Sequence, residues 1–278
     1  MNSGWTVIAA RYGTRETTRG DAYYRYPAYG EPDGPQRMDY FFWILRRPDE
    51  TILVDTGFDL EVARRRGRTC LIDPAEAMAQ LGVTPDSVSR IVLTHLHYDH
   101  TGNLDLFPDA ELLVPERELD FWLGPFARRA QFAHAVEATE LGLILGAVDA
   151  GRVRRLEGGE EIAGGVHAVH LGGHSPGQMA LAIFGSAAPV VLASDAAHFY
   201  EEYERDRPFA VIADLAEVYE AYDTLRELSA APGAHMVPGH DPVVMERYPA
   251  VQGPAGDFAV QIRWARPRAA GGGPRLHP

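Results

Sequence analysis

The segment Ile91-Val-Leu-Thr-His-Leu-His-Tyr-Asp-His100 gathers three imidazoles and a carboxylate into one short stretch. His95 and His97 stand two apart at the end of an apolar strand, so both side chains leave on one face. The chain must then turn into a helix near Gly102, which lets Asp99 and His100 aim at the same space. Nitrogen and oxygen donors in this combination suit zinc or iron. Packed together without a cation, four such groups would carry a heavy desolvation cost. We therefore read them as metal ligands rather than as loop residues or core histidines. Three more donors follow at strand ends: His174 in Leu171-Gly-Gly-His-Ser-Pro-Gly-Gln178, Asp195 after Val190–Ser194, and His240 after Met236-Val-Pro-Gly239. Each alone is commonplace. Together they complete a donor set for two metals about 3.5–4 Å apart, with one carboxylate bridging.

The elements that must position these groups are short apolar runs bounded by Gly, Pro and Asp. Trp5–Ala10, Tyr40–Leu45, Thr51–Val54, Ile91–Leu93 and Glu111–Val114 read as strands, and Pro74–Leu81 as a helix that Gly82 ends. The pattern is helical from Pro115 to about Ala147, interrupted near Gly124-Pro125. Val153–Leu156, Val166–Leu171, Met179–Phe184 and Val190–Ala193 again read as strands. Asp214–Leu228 places Leu215, Val218, Tyr222 and Leu225 at helical spacing, and His235–Val237 is a last short strand. Pro176-Gly177 fits the centre of a type II turn. Two successive runs of strands then helices predict two β-layers packed together with helices outside. Residues 1–265 read as a single domain and the tail from Arg266 as disordered. The Tyr-, Gly- and Pro-rich stretch 18–37 is either a surface loop or a lid over a pocket.

Composition narrows the chemistry. A net charge of −13 argues against nucleic acid as a partner. All 26 cationic side chains are Arg, which excludes Schiff-base lysine chemistry and hints at a GC-rich bacterial genome. Cys70 is the only cysteine, leaving no intrachain disulfide, zinc–thiolate cage or iron–sulfur cluster; it reads as inert. No apolar run approaches membrane-spanning length and no export pattern opens the chain, so a cytoplasmic protein is expected. Phe58, Phe121, Trp122 and Phe126 read as core aromatics before pocket residues.

In order and spacing, His95, His97, Asp99, His100, His174, Asp195 and His240 resemble the metallo-β-lactamase superfamily over about residues 39–245. Val54-Asp55-Thr56-Gly57 also matches. The resemblance implies an α+β fold, a four-layer αββα sandwich of two face-to-face β-sheets with helices outside. It implies one metal on His95, His97 and His174, a second on Asp99, His100 and His240, and Asp195 bridging. Asp55 either orients a ligand from behind or caps its turn. The cofactors implied are two divalent ions, zinc first, with iron, manganese or cobalt accepted by the same donors.

His100 and Asp195 stand where true β-lactamases usually differ, ribonuclease Z-like nucleases need a basic arm, and little chain follows His240 for a thioesterase's helical extension. Overall length, the HSPGQ turn and Ser194-Asp195-Ala196-Ala197 resemble the N-acyl-homoserine-lactone lactonase branch. That likeness implies opening of a lactone ring by a hydroxide bridging two metals, with Asp99 carrying a proton to the leaving oxygen. The branch commonly has a Tyr three residues after the bridging Asp; here that position is His198, with Tyr200 two further on. Either is a candidate donor to the oxyanion, and the substitution puts acyl-homoserine lactone itself in question. A thioesterase, phosphodiesterase or other ester hydrolase on the same site is the alternative, and a metal-holding redox or binding module the third reading. The expected partner is a small lactone or ester, with neither nucleic acid nor membrane.

Overall fold

The computed structural model describes residues 4–184 and 188–262. The proposed domain end at residue 265 and the tail from Arg266 lie outside the described residues. Among the described residues, one sheet has eight strands. Along it lie Ala259–Ile262, Thr6–Thr18, Pro35–Arg47, Glu50–Val54, Val88–Val92, Glu111–Pro115 and Val153–Leu156, with Thr69–Cys70 pairing to the side of Thr6–Thr18. Its first pairings are antiparallel, and from Glu50–Val54 onward they are parallel. The other sheet has five strands, in the order His235–Pro238, Val190–Ser194, Met179–Ile183, Val166–His170 and Glu161–Ala163.

The run Tyr40-Phe-Phe-Trp-Ile-Leu45 shows why the layers stack as they do. A strand covered on both faces can be apolar throughout, without alternation. All six side chains are buried. Phe41, Trp43 and Leu45 face the second sheet, packing with Leu181, Ile183 and Leu192. Tyr40, Phe42 and Ile44 face outward, against Ala77 and Met78 of the helix Pro74–Gln80 and Leu119 and Trp122 of the helix Glu116–Leu123. Each such side chain contributes about 1.5–3 kcal/mol on burial. The helix Leu215–Leu228 covers the far face of the second sheet through Val218, Ala221, Tyr222 and Leu225. The four-layer αββα arrangement expected from the sequence is thus present.

The structure adds detail to two expectations. The helical pattern over 115–147 is interrupted at Gly124-Pro125 as expected, but it also breaks again, dividing into Glu116–Leu123, a 3-10 turn Pro125–Arg128, Ala130–Ala133 and Ala138–Asp149. The stretch 18–37, expected as a surface loop or a lid, lies mostly at the surface but is fastened to the body of the fold. Strands Thr6–Thr18 and Pro35–Arg47 pair as far as Thr18 and Pro35. Between them Tyr23 and Tyr26 are buried with Met38, Phe199 and Phe209. Arg19 pairs with Glu201 at 2.7 Å and Arg207 pairs with Glu31. This stretch escapes periodicity analysis because long-range aromatic and ionic contacts hold it. Among the described residues, no helix is long and apolar enough to cross a membrane.

Candidate metal centre

Parallel pairing brings the first donors together. Val54 and Val92 are neighbours in register, so the carboxyl ends of their strands deliver Asp55 beside Thr94 and His95. Crevices at carboxyl ends of parallel strands are where such sheets present ligands. In the second sheet Val190–Ser194 and His235–Pro238 also run parallel, with Ser194 opposite Pro238 after a register shift at Leu192. That irregularity re-aims the chain and sets Asp195 beside His240. A Cβ on Gly239 would come within 2.6 Å of Asp195 Oδ1, so only glycine fits there. Asp55 and Ser194 take left-handed backbone angles, φ 58° and 47°. Such positions cost about 1–3 kcal/mol each and persist where the surroundings enforce them.

All seven expected ligands converge, and all are buried. His95, His97 and His174 form one group whose ligating atoms are mutually close; Asp99, His100 and His240 form another; His95, His100 and Asp195 a third. Asp195 lies between the first two. Its Oδ1 is 3.3 Å from His100 Nε2 and 3.1 Å from His240 Nε2, and its Oδ2 is 3.5 Å from His174 Nε2 and 3.8 Å from His95 Nε2. His174 Nε2 and His97 Nδ1 are 2.9 Å apart.

The far nitrogens fix the tautomers. His100 Nδ1 bonds Asp55 Oδ2 at 2.7 Å, His174 Nδ1 the carbonyl of Val211 at 3.0 Å, and His240 Nδ1 the carbonyl of Asp39 at 2.9 Å. With acceptors behind them these rings carry the proton on Nδ1 and turn the Nε2 lone pair inward. Asp55 also accepts from the backbone N–H and hydroxyl of Thr94, both at 2.8 Å. It therefore orients His100 rather than only capping its turn.

Electrostatics agree with a cation site. Burial, reinforced by neighbouring histidines, holds His95 and His174 well below the usual histidine range. Burial likewise lowers His97 to about 4 against the pull of Asp99 and Asp195. These three are neutral donors at pH 7. Asp195 stays ionised although burial opposes it, because His240, His100 and His198 surround it. His100 is pushed well above the ordinary value against burial, by Asp195, Asp55 and Asp99. His95 Nε2, His100 Nε2 and Asp195 Oδ1 are buried without a hydrogen-bond partner. Close yet misaligned for hydrogen bonds, they are aimed at shared centres, as metal ligands are. The residues present fit divalent metal ions.

The two candidate oxyanion donors part company. His198 joins the cluster, with Nε2 3.2 Å from Asp195 Oδ2 and its ring stacked on Phe209 at 3.7 Å. Its Nδ1 is 3.4 Å from Glu202 Oε1. Burial lowers its pKa, but Asp195 and Glu202 prevail and raise it to about 9. Tyr200 is a correction: its ring lies in the core beneath the Arg247 guanidinium, 3.7 Å away. A helix begins at Tyr200, so the two-residue spacing that would put both side chains on one face of a strand no longer does so.

Sequence reasoning missed Glu118. Completely buried in the helix Glu116–Leu123, it accepts from Leu96 N (3.0 Å), Gly177 N (2.7 Å), Trp122 Nε1 (2.8 Å) and the Ser175 hydroxyl. It ties the His95–His97 loop to the His174 loop, yet in sequence it is one acid among several on an amphipathic helix. Gly177 has no positive φ, so the expected type II turn is absent. Its small size is what matters, since a Cβ would collide with the Glu118 backbone nitrogen. Of the aromatics, Phe58 is core and Phe126 is exposed, while Trp122 lines a second cleft with Phe132 and Ile212. Cys70 donates its thiol to the Ile72 carbonyl, and burial raises its pKa.

A cavity of about 210 Å³ opens onto the cluster, lined by Met38, Tyr40, Tyr98, Asp99, His198 and Phe209 among others.

Residues 38–240 match the family model described as the metallo-beta-lactamase superfamily. The N-acyl homoserine lactonase AttM of Azorhizobium caulinodans is 26% identical over 217 residues, covering 72% of this chain and 81% of that one. A 1.4 Å structure of an N-acyl homoserine lactone hydrolase with N-hexanoyl-L-homoserine at its catalytic metal center superposes with a TM-score of 0.71. It is 21% identical and covers 87% of this chain and 95% of that one. The dizinc quorum-quenching lactonase AidC, in complex with a product, gives 0.66 at 18% identity, covering 87% and 89%.

Proposed function

The chain belongs to the metallo-beta-lactamase superfamily, and on that premise we propose that it is a metal-dependent hydrolase that opens a lactone ring. The observation that carries this reading is the convergence of two three-residue donor groups on either side of Asp195. We assign one divalent ion to His95, His97 and His174 and a second to Asp99, His100 and His240, with Asp195 between them and zinc as the first choice. Such ions supply Lewis acidity that activates water at neutral pH and polarises a carbonyl.

The protein's own groups do the rest. Asp55, Val211 and Asp39 hold the imidazoles in register, so the donors need little rearrangement. Asp99 lines the cavity, where its carboxylate can hold the proton that the ring oxygen takes as it leaves. With Glu202 alongside Nδ1, His198 can carry an Nε2 proton into the cavity toward the substrate carbonyl oxygen. Loss of a well-placed donor of that kind costs about 2.7–4 kcal/mol. Phe209, stacked on His198, limits the ring's freedom and keeps water off that face.

The test is ring opening of a homoserine lactone panel by protein loaded with zinc, manganese or iron, followed by proton release and compared with matched thioesters and phosphodiesters. Turnover of lactones above the other classes supports the reading. Turnover of thioesters or phosphodiesters alone overturns it.

A further inference from the structure

Three arginines line the cavity over the metal centre: Arg15, Arg66 and Arg68. Most arginines around it are matched with acids. Arg11 and Arg37 pair with Asp39, and Arg19, Arg205 and Arg207 with Glu201. Arg66 is matched too, at 2.7 Å from Glu137. Arg15 and Arg68 are different. Among the described residues the Arg15 guanidinium has no ion pair or hydrogen bond. Arg68 spends Nε on the Tyr98 hydroxyl (2.8 Å) and Nη1 on the Arg66 carbonyl (2.8 Å); Asp99 acts on it only through space, and among the described residues no carboxylate lies within ion-pair distance. Both are only half exposed. In a chain of net charge −13, acids to neutralise them are plentiful elsewhere.

Both guanidinium groups line the cavity together with the Tyr40 ring. Tyr40 in turn meets the His240 ring edge-on at 5.0 Å. Arg15 lies opposite Met38 in its strand pair, and Met38 lines the same cavity. The two cations therefore border the cleft within one aromatic ring of the metal ligands. A planar fork of N–H donors matches a carboxylate in charge and shape. The cavity, about 210 Å³, is below the roughly 300–1,000 Å³ of pockets for drug-sized ligands, so the substrate it suits is small.

We propose that Arg15 and Arg68 receive a carboxylate on the substrate, so that the molecule opened here is a small acidic lactone or ester rather than a neutral acyl lactone. This rests on the hydrolase reading above and adds the charge of the substrate to it.

A matched pair of probes tests it: N-succinyl-homoserine lactone and N-butanoyl-homoserine lactone, which differ in a terminal carboxylate against a methyl group. Turnover is measured with the zinc-loaded full-length protein, and binding of the two ring-opened products by calorimetry. The expected result is at least a tenfold preference for the succinyl compound in both kcat/KM and product binding. That ratio falls toward one in the R15Q/R68Q double variant and largely survives in R15K/R68K, with melting temperatures confirming that both variants fold. A wild-type ratio near or below one, or a ratio that the double variant leaves intact, overturns the proposal. Turnover of both lactones without charge preference removes the arginine cleft and leaves the lactonase standing. Preferential binding of the succinyl product without turnover of either lactone does the reverse.

Discussion

Asp55 and Glu202 both stand behind a histidine of the cleft, yet they hold it differently. Asp55, at the floor, bonds His100 Nδ1 directly and is itself held by Thr94 from the neighbouring strand end. Glu202, in the wall, accepts from the backbone of His198 and Phe199 and from the Tyr222 hydroxyl, each at 3.0 Å. It meets the His198 ring only at 3.4 Å. Beyond it the wall is fastened by largely buried ion pairs through Glu201. A ring fixed by a charge-assisted bond to a carboxylate anchored at a strand end is preorganised. A ring steadied by stacking beside a loop is better placed to answer a substrate.

Removing the charge at the floor is the strongest way to break this contrast. Asp55→Asn should lower metal affinity about 10–100-fold, the usual cost of losing the partner behind a ligating histidine. Chelator competition measures it, and an unchanged affinity would erase the distinction between floor and wall. Metal removal comes next. At a hundredfold excess over Kd, bound metal adds about 2.7 kcal/mol to stability, so stripping the protein should lower its melting temperature by several degrees. A transition indifferent to chelator would deny that the cluster binds ions when folded.

Glu202→Gln should be milder and different in kind. It turns an amide donor toward groups that also donate, a cost of about 1–3 kcal/mol in stability. It should also bring a several-fold fall in kcat at unchanged metal content. If metal content falls instead, His198 belongs to the floor.

Acid should loosen the wall selectively. Burial opposes ionisation of Glu201, but Arg19, Arg205 and Arg207 prevail and depress its pKa from 4.5 to about 2. A carboxyl depressed by folding contributes stability that is present above its unfolded pKa and lost as pH falls toward the folded one. The contribution should fade from about pH 4.5 down to 2, seen as faster hydrogen exchange over residues 19–31. Glu201→Gln should show the same loosening already at pH 7, which separates it from ligand protonation. The smallest effect is Tyr200→Phe, which should leave kcat/KM within twofold; a larger loss would return Tyr200 to the cleft.

The proposed chemistry was legible because the spacing of candidate donors is a short-range signal. His95, His97, Asp99 and His100 declare themselves by spacing at a strand end, and His174, Asp195 and His240 by standing after apolar runs that must be strands. The apolar run Tyr40–Leu45 likewise declared itself a strand, although its burial on both faces is visible only in the structure. Sequence alone therefore determined the two layers of strands, and it put forward the seven proposed donors and the divalent cations that would suit them. Side-chain identity and local periodicity are enough to specify those.

Tertiary structure decided what depends on contacts between distant segments. Glu118 became the tie between two ligand loops, Asp55 the partner of His100, and stretch 18–37 a pinned wall. Tyr200 left the site because a helix begins under it. Arg15 and Arg68 drew notice only when the surrounding acids proved to be paired with other arginines. A charge's partner is set by three-dimensional proximity, and no spacing along the chain encodes which carboxylate will be taken and which guanidinium left facing the cleft.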